Sequence, residues 1–467
     1  MRKRLIVGLI LLGAAPAFAG PAETRLAAAV RDDDHAAIKS ALAAHANVNL
    51  ALPDKSSVLA WAVDRQDAQS VKLLLAAGAE PRPLAKGGVE PLSLACELGN
   101  PAIVGALLKA GANAKEIRAD GTTAFALCAG ASTPEMLAAM AAKGASVNSL
   151  NVENQTPLMW AAMEGNTDTI KWLAAHGAKV NAADKKGFTP LFFALRSKVA
   201  TAPVALLDAG ADVNAIVADG TSVVQAAVMT ENIPFAIQAV SHGADIHHAD
   251  KNGHQLIHLA ASSGNADFVR MVLSKGADPN LPIAAPPPPP VRVAAAAPPP
   301  AAGAAAAAGG AAAAAAAVRR ASFANFQPPA PSTPLQFAAH AGSVEAMKAL
   351  VEAGAKPDQK TPDGMTVAMA AAGSGSVEAM AYAYQLDPHL DVIARGGRSI
   401  MHIAVAARGT PDPIGVIQFL VDKGAPLAVQ DARKASPGDN LNTNGDPVIR
   451  EFYIKLLRDR GIVSTNH

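Results

Sequence analysis

Five histidines, His242, His247, His248, His254 and His258, fall within seventeen residues. Imidazole is a common ligand of zinc and copper, so a cluster of this density raises the chemistry of a metal- or small-ligand-binding site across 242–258. Each ring also has a structural reading. His258 and His402 occupy the same place in two copies of a recurring segment, and His242, like His176, precedes a Gly-Ala pair. A histidine there sits beside a helix C-terminus, where its positive charge is favoured. His247, His248 and His254 remain as turn residues without an assigned task. No metal-ligand set is assigned, and the histidine cluster stands as the alternative reading.

Other reactive constellations are missing from the sequence. It contains no Gly-x-Ser-x-Gly elbow, no His-Glu-x-x-His pair and no Walker phosphate loop. Gly373-Ser-Gly-Ser376 falls where a turn between helices belongs. The carboxylates recur mostly as Asp in turns, which suits hydrogen bonding to nearby backbone. No catalytic residue and no cofactor site follow from this pattern, and the chain reads as non-enzymatic. A hydrolase would need a polar pocket interrupting the surface.

Cys96 and Cys128 sit in successive copies, at slots where other copies carry Ala or Val. Helices pack 8–10 Å apart, so equivalent residues of neighbouring copies should stand about 10 Å apart. A disulfide needs Cα atoms within about 7 Å. Two small buried thiols are the expectation, with the one-residue offset leaving a bridge open.

The elements that position these residues are set by one regularity. Gly-Ala pairs open at Gly78, Gly111, Gly144, Gly177, Gly210, Gly243 and Gly276, at an unbroken interval of 33 residues. A fixed period of this size means one supersecondary unit copied along the chain, burying its apolar face against its neighbours. Thr189 is a natural N-cap and Pro190 fits the first helical position, where a missing N–H costs nothing. In the preceding copy the first helix begins at Thr156-Pro157 and ends near Gly165. A second runs from about Asn166 with Ile170, Leu173 and Ala174 on one face, and Gly177 ends it. Each copy is therefore a turn followed by two antiparallel helices.

These segments resemble ankyrin repeats. Thr156-Pro157-Leu158 through Ala161-Ala162 and Gly210-Ala-Asp-Val-Asn214 carry the resemblance, and Gly276-Ala-Asp-Pro-Asn280 nearly repeats the latter. It implies an all-α ankyrin-repeat solenoid of helix–turn–helix units with hairpin-like turns. About 11 repeats are expected, plus a C-terminal capping helix from about Val448 to Arg460 with Ile449, Phe452, Leu456 and Tyr453 toward one face. Asp387-Pro388 replaces the Gly-Ala pair in one degenerate copy. In this family the slot of Trp61, Trp160, Phe193 and Phe337 is core, and the slot of His258 bonds turn backbone.

Residues 1–19 read as a signal peptide. Arg2, Lys3 and Arg4 precede an apolar core from Leu5 to Ala15, and Ala17-Phe18-Ala19 supplies the small residues of a cleavage site before Gly20. That core is too short for a membrane span of roughly 20 residues. Cleavage removes the three basic residues and takes the formal charge from +1 to −2. No basic stripe is present, so nucleic acid is not an expected partner. The organisation is then repeats 1–8 over 20–281, a Pro/Ala-rich insertion over 282–331, and repeats 9–11 with the cap over 332–467. The insertion follows Asn280 and so should sprout from a turn, leaving the stack continuous beneath it. Its composition suits a flexible spacer, or a proline-rich docking motif.

The resemblance implies a non-catalytic scaffold that binds a protein partner through its concave face and turn tips. The export signal implies a periplasmic or secreted location, without stable membrane insertion, for a chain expected to be monomeric. Mapped here, the tips comprise Glu153, Gln155, Lys185, Lys186, Phe188, Asp219, Lys251, Asn252 and His254. The free ends of first helices comprise Glu97, Met163, Glu164, Arg196 and Met229. Phe188, flanked by lysines, fits an anchor-and-rim pattern if it faces solvent; alternatively it folds onto the neighbouring turn.

Overall fold

A computed structural model describes residues 20–84, 88–118, 120–283, 332–444 and 446–462. The expected leader at 1–19 and nearly all of the 282–331 insertion lie outside them. The chain divides into two compact units, residues 1–218 and 219–467.

The first unit contains six helix pairs: α1 (Pro21–Arg31) with α2 (His35–Ala43), α3 (Val58–Asp64) with α4 (Ala68–Ala76), α5 (Pro91–Leu98) with α6 (Pro101–Lys109), α7 (Ala124–Ala131) with α8 (Pro134–Ala142), α9 (Pro157–Glu164) with α10 (Thr167–Ala175), and α11 (Pro190–Ala194) with α12 (Thr201–Asp208). The second unit repeats the plan with α13 (Val223–Met229) and α14 (Ile233–Ser241), α15 (Leu256–Ser262) and α16 (Ala266–Ser274), α17 (Pro334–His340) and α18 (Val344–Glu352), α19 (Val367–Ala372) and α20 (Val377–Leu386), α21 (Ile400–Ala404) and α22 (Pro413–Asp422), and α23 (Pro437–Asn444) and α24 (Pro447–Asp459). Within each unit first helices pack on first helices and second on second. The turn that follows each pair projects as a finger, with isolated antiparallel bridges at Ile117–Thr123 and Ala394–Arg398.

Short helices of this kind need local help, because helices under about 12–15 residues are marginal alone. Caps supply part of it: the Thr156 hydroxyl accepts from Met159 N–H at 3.3 Å, and Asn166 Oδ1 accepts from Thr169 N–H at 3.3 Å. Thr189 also caps its helix by position, yet its buried hydroxyl has no partner. Packing supplies the rest. Leu92, Leu158, Leu191, Leu256, Leu335 and Ile400 are fully buried at or near the starts of first helices. Each such side chain is worth about 1.5–3 kcal/mol of transfer free energy.

An asparagine ladder fixes the spacing between repeats. Asn148 Nδ2 donates to Gly177 O at 2.9 Å while its Oδ1 accepts from Lys179 N–H at 2.9 Å. Asn181 repeats this with Gly210 and Asp212. Asn280 makes the same two bonds to Gly354 and Lys356, each 2.9 and 2.8 Å. Its partners lie 74 and 76 residues on rather than 29 and 31. The insertion therefore leaves a turn, with Ile283 N–H donating to Ser332 O at 3.3 Å across its neck, and the second unit stacks without a break beneath it.

Three sequence expectations need correction. Cys96 and Cys128 form a disulfide, with Cα atoms 4.3 Å apart and both residues fully buried. The two helices approach more closely than typical helix packing because small residues, Ala95, Ala129 and Ala131 among them, line α5 and α7. A Cβ added at Gly99 would lie 2.5 Å from Ala131 O, so the two backbones are nearly in contact there. The terminal helix is not a lone cap: it pairs with α23, which gives twelve helix pairs among the described residues. Its buried face is Ile449, Tyr453 and Leu457 rather than one including Phe452 and Leu456, which are half-buried. Tyr453 turns inward because its hydroxyl donates to Leu427 O at 2.7 Å.

Candidate protein-binding surface

The fingers are rigid because one acid or amide in each takes up several backbone donors. In the first unit Asn151 Oδ1 accepts from the N–H groups of Glu153 and Gln155, both at 2.9 Å. In the next finger Asp184 Oδ1 does the same for Lys186 and Phe188, both at 2.9 Å. Neighbouring tips are tied by Lys185 N–H donating to Glu153 O at 3.0 Å. These bonds leave the side chains of Glu153, Lys185 and Lys186 exposed, with Gln155 half-buried on Asn151 Nδ2. At the free ends of first helices, Glu164 and Arg196 are exposed and Met163 is half-buried. Glu97, also exposed, pairs with Arg118 at 3.0 Å.

Phe188 is not a solvent-facing anchor. Its ring is half-buried, edge-on to Phe192 at 5.8 Å and to Phe193 at 6.3 Å. It folds onto its own first helix rather than onto the neighbouring turn, drawn by an aromatic pair that the local sequence places within reach.

In the second unit the same turn is built on Asp250, whose Oδ1 accepts from Asn252 N–H at 2.8 Å and His254 N–H at 2.9 Å. Lys251 and Asn252 are exposed, as are Asp219 and Met229. His254 is half-buried, with Nδ1 against the Asp250 carboxylate at 3.1 Å, so it belongs to the turn's own framework.

Four of the five clustered histidines are bound into the fold through their rings, and the fifth, His247, is exposed. His258 Nδ1 accepts from Gln255 N–H at 3.1 Å and Nε2 donates to Leu281 O at 2.8 Å, which fixes the neutral tautomer. Burial lowers its pKa to about 4. His402 repeats the arrangement on Ser399 N–H and Ala435 O. His248 Nε2 bonds Gly220 O at 2.6 Å, and His242 Nδ1 bonds Gln238 O at 2.8 Å. Among the described residues no three His, Cys, Asp or Glu side chains are grouped to hold a metal ion. Of the aromatic slot, Phe193 and Phe337 are buried and Trp61 and Trp160 half-buried, so the row is mainly core.

The repeat period also locates a set of exposed aliphatic side chains in the fingers. Ile117, Leu150 and Ile216 are 62%, 55% and 48% exposed, and each stands six residues beyond the glycine of its Gly-Ala pair. The same 33-residue ruler that locates the glycines locates these side chains.

A family model described as ankyrin repeats, three copies to a match, fits residues 25–118, 124–216, 200–283 and 335–431. No curated protein matches the sequence. Among the described residues no helix is long and apolar enough to cross a membrane.

Proposed function

Since this chain belongs to the ankyrin-repeat family, whose repeats generally mediate protein–protein interaction, we propose that it is a non-catalytic scaffold that binds a protein partner through its finger tips and first-helix ends. The observation that carries this reading is the division of labour within each finger. Asn151, Asp184 and Asp250 hold the backbone, while the side chains of Glu153, Lys185, Lys186, Lys251 and Asn252 are exposed. A preorganised surface of this kind binds with little ordering cost. Asp219, Met229, Gln155, Met163, Glu164 and Arg196 extend the candidate surface. His254 and Phe188 support it from beneath.

The protein works outside the cytoplasm as a monomer, exported by its 1–19 leader. The Cys96–Cys128 disulfide supports that location, because disulfides persist in oxidising compartments and are rare in reducing ones.

The test is a crosslinking capture from native periplasm using the mature protein beginning at Gly20. It is compared with a variant carrying Glu153→Ala, Lys185→Ala and Lys186→Ala, substitutions at exposed positions that should leave the fold intact. One saturable protein partner held by the parent and lost by the variant is the expected result. Equal capture by both, or none by either, would remove the finger tips from the binding surface.

A further inference from the structure

The first helix pair has no pair before it, and its outer face lies open. A valley of about 310 Å³ runs between α1 and α2, floored by Ala22, Ala28, Ala29, Ala37 and Ala41. Repeat arrays close their ends with a polar outer face to stay soluble. This floor is alanine instead. Small side chains on one face interdigitate with large ones on the other, so the valley suits a helix bearing leucine.

Charge is concentrated at the end where α1 turns into α2. Asp32, Asp33, Asp34 and Asp67 stand there against Arg31 and Arg65. Arg31 pairs with Asp32 at 2.9 Å, and Arg65 pairs with Asp33. Asp67 Oδ2 meets His35 Nε2 at 2.7 Å, which joins the turns of the first two pairs. Asp34 holds the slot of Asp67 one repeat earlier, and its Oδ1 likewise caps its helix, accepting from Ala36 and Ala37 N–H. Its Oδ2 makes no bond among the described residues, and no preceding turn stands beside it. Arg25 also lines the valley, seven residues before Asp32 and so about 10 Å away along α1.

The chain ahead of α1 matches this face in length, polarity and charge. Gly20 caps α1 with ψ 170°, and Pro21 opens the helix, so a helix before them cannot run straight on. Pro16 to Gly20 is a five-residue connection, of the length that joins antiparallel helices. Leu5 to Ala15 is eleven residues and so is α1, about 16 Å of helix in each case. Folded back along α1, that segment would set Arg2, Lys3 and Arg4 level with Asp32 and Asp34. Leu5, Leu9 and Leu12 would share one helical face toward the alanines.

We propose that in the unprocessed chain residues 1–19 fold back into this valley, with the leucines on the alanine floor and the three basic residues against Asp32 and Asp34. A precursor folded this way hides its export signal against its own first helix pair, and cleavage before Gly20 uncovers the valley. Neither the finger tips nor their partner enters this contact.

The test compares hydrogen exchange, read by mass spectrometry, in the full chain from Met1 and in a synthetic peptide of residues 1–19. Amides 6–15 should exchange roughly tenfold or more slowly in the full chain. Ala37→Arg fills the valley from α2 and should return them to the peptide's rate. Asp34→Asn keeps the helix cap but removes the charge, and should give an intermediate rate. Thermal melts of both variants in the mature form check that the first pair still folds. Exchange at the peptide's rate in the parent, or protection that survives Ala37→Arg, overturns the docking. Protection found only in species that sediment as oligomers assigns the leader to contacts between chains, which also overturns it. The crosslinking test of the finger tips uses the mature chain, so either result can fail while the other stands.

Discussion

The two units are built from the same helix pair but fasten their fingers differently. The residue three beyond each first-helix cap faces the finger. In the second unit it is Gln225, His258, Gln336, Met369 and His402; in the first it is Glu23, Ala60, Ser93, Ala126, Met159 and Phe192. Gln336 shows what the second unit gains. Its Oε1 accepts from Thr333 N–H at 2.9 Å, and its Nε2 donates to the carbonyls of Gln359 and Met365 at 3.1 and 3.0 Å. Gln225 forms the same clamp on Ser222, His248 and His254. In the first unit Glu23 accepts from Asn47 N–H at 3.0 Å and Ser93 donates to Glu116 at 2.6 Å, the other four residues of the set are apolar, and a disulfide joins two first helices. One backbone plan thus accepts either polar clamps or small-residue contact with a covalent staple. Binding side chains can vary on top of either.

Removing the staple should give the largest contrast. A disulfide closing a loop between residues 32 apart stabilises by about 3–4 kcal/mol in the chain-entropy description. Cys96→Ala with Cys128→Ala should therefore lower the denaturation midpoint reported by Trp61 and Trp160 in the first unit. The second unit, followed by hydrogen exchange, should be unmoved. Equal loss in both units would mean that they unfold as one.

Acid should divide the units in the opposite sense. The pKa of His258 is lowered by burial from 6.5 to about 4, so between those values the unfolded chain binds the proton and the folded one does not. The stabilisation is fully present above about pH 6.5 and is lost as pH falls toward 4, amounting to about 3 kcal/mol at most. Protonation would also set an N–H at Nδ1 against Gln255 N–H. His258→Gln borrows the clamp used at 225 and 336, so it should keep neutral stability and flatten the pH dependence between 6.5 and 4. Urea melts at pH 7 and pH 4.5 decide this, and an unchanged slope would remove His258 as its source.

The smallest effect concerns positions that both units share. Lys198 and Glu231 occupy the turn between paired helices with φ of 62° and 60°, where Gly165 and Gly264 stand in other repeats. A left-handed conformation costs an L-residue roughly 1–2 kcal/mol, partly offset by the chain entropy of glycine. Lys198→Gly and Glu231→Gly should each stabilise by up to about 1 kcal/mol in thermal melts. A loss would show that local side-chain packing outweighs backbone strain there.

Most of the architecture was readable because period, caps and apolar spacing agree in almost every copy. The failures share a cause, which is that a repeat ruler predicts average geometry. Cys96 and Cys128 lie where alanine contacts bring two backbones closer than typical helices. Phe188 has lysine neighbours in sequence, but Phe192 and Phe193 lie four and five residues on and draw it in. In α24 the sequence offers two overlapping apolar stripes, and the one through Ile449, Tyr453 and Leu457 is buried, with the Tyr453 hydroxyl bonded to Leu427 O. The exposed aliphatic side chains Ile117, Leu150 and Ile216 carry no motif signal, because they lie at a slot that the repeat framework leaves free.

Asn280 grips Gly354 as firmly as Asn148 grips Gly177, although far more chain lies between its partners. Loop closure cost grows only with the logarithm of length, so each doubling adds about 0.6 kcal/mol. The neck between Ile283 and Ser332 is therefore a natural splice point. A reporter or a whole folded domain with adjacent termini should be tolerated there, displayed by the array without disturbing the repeats on either side.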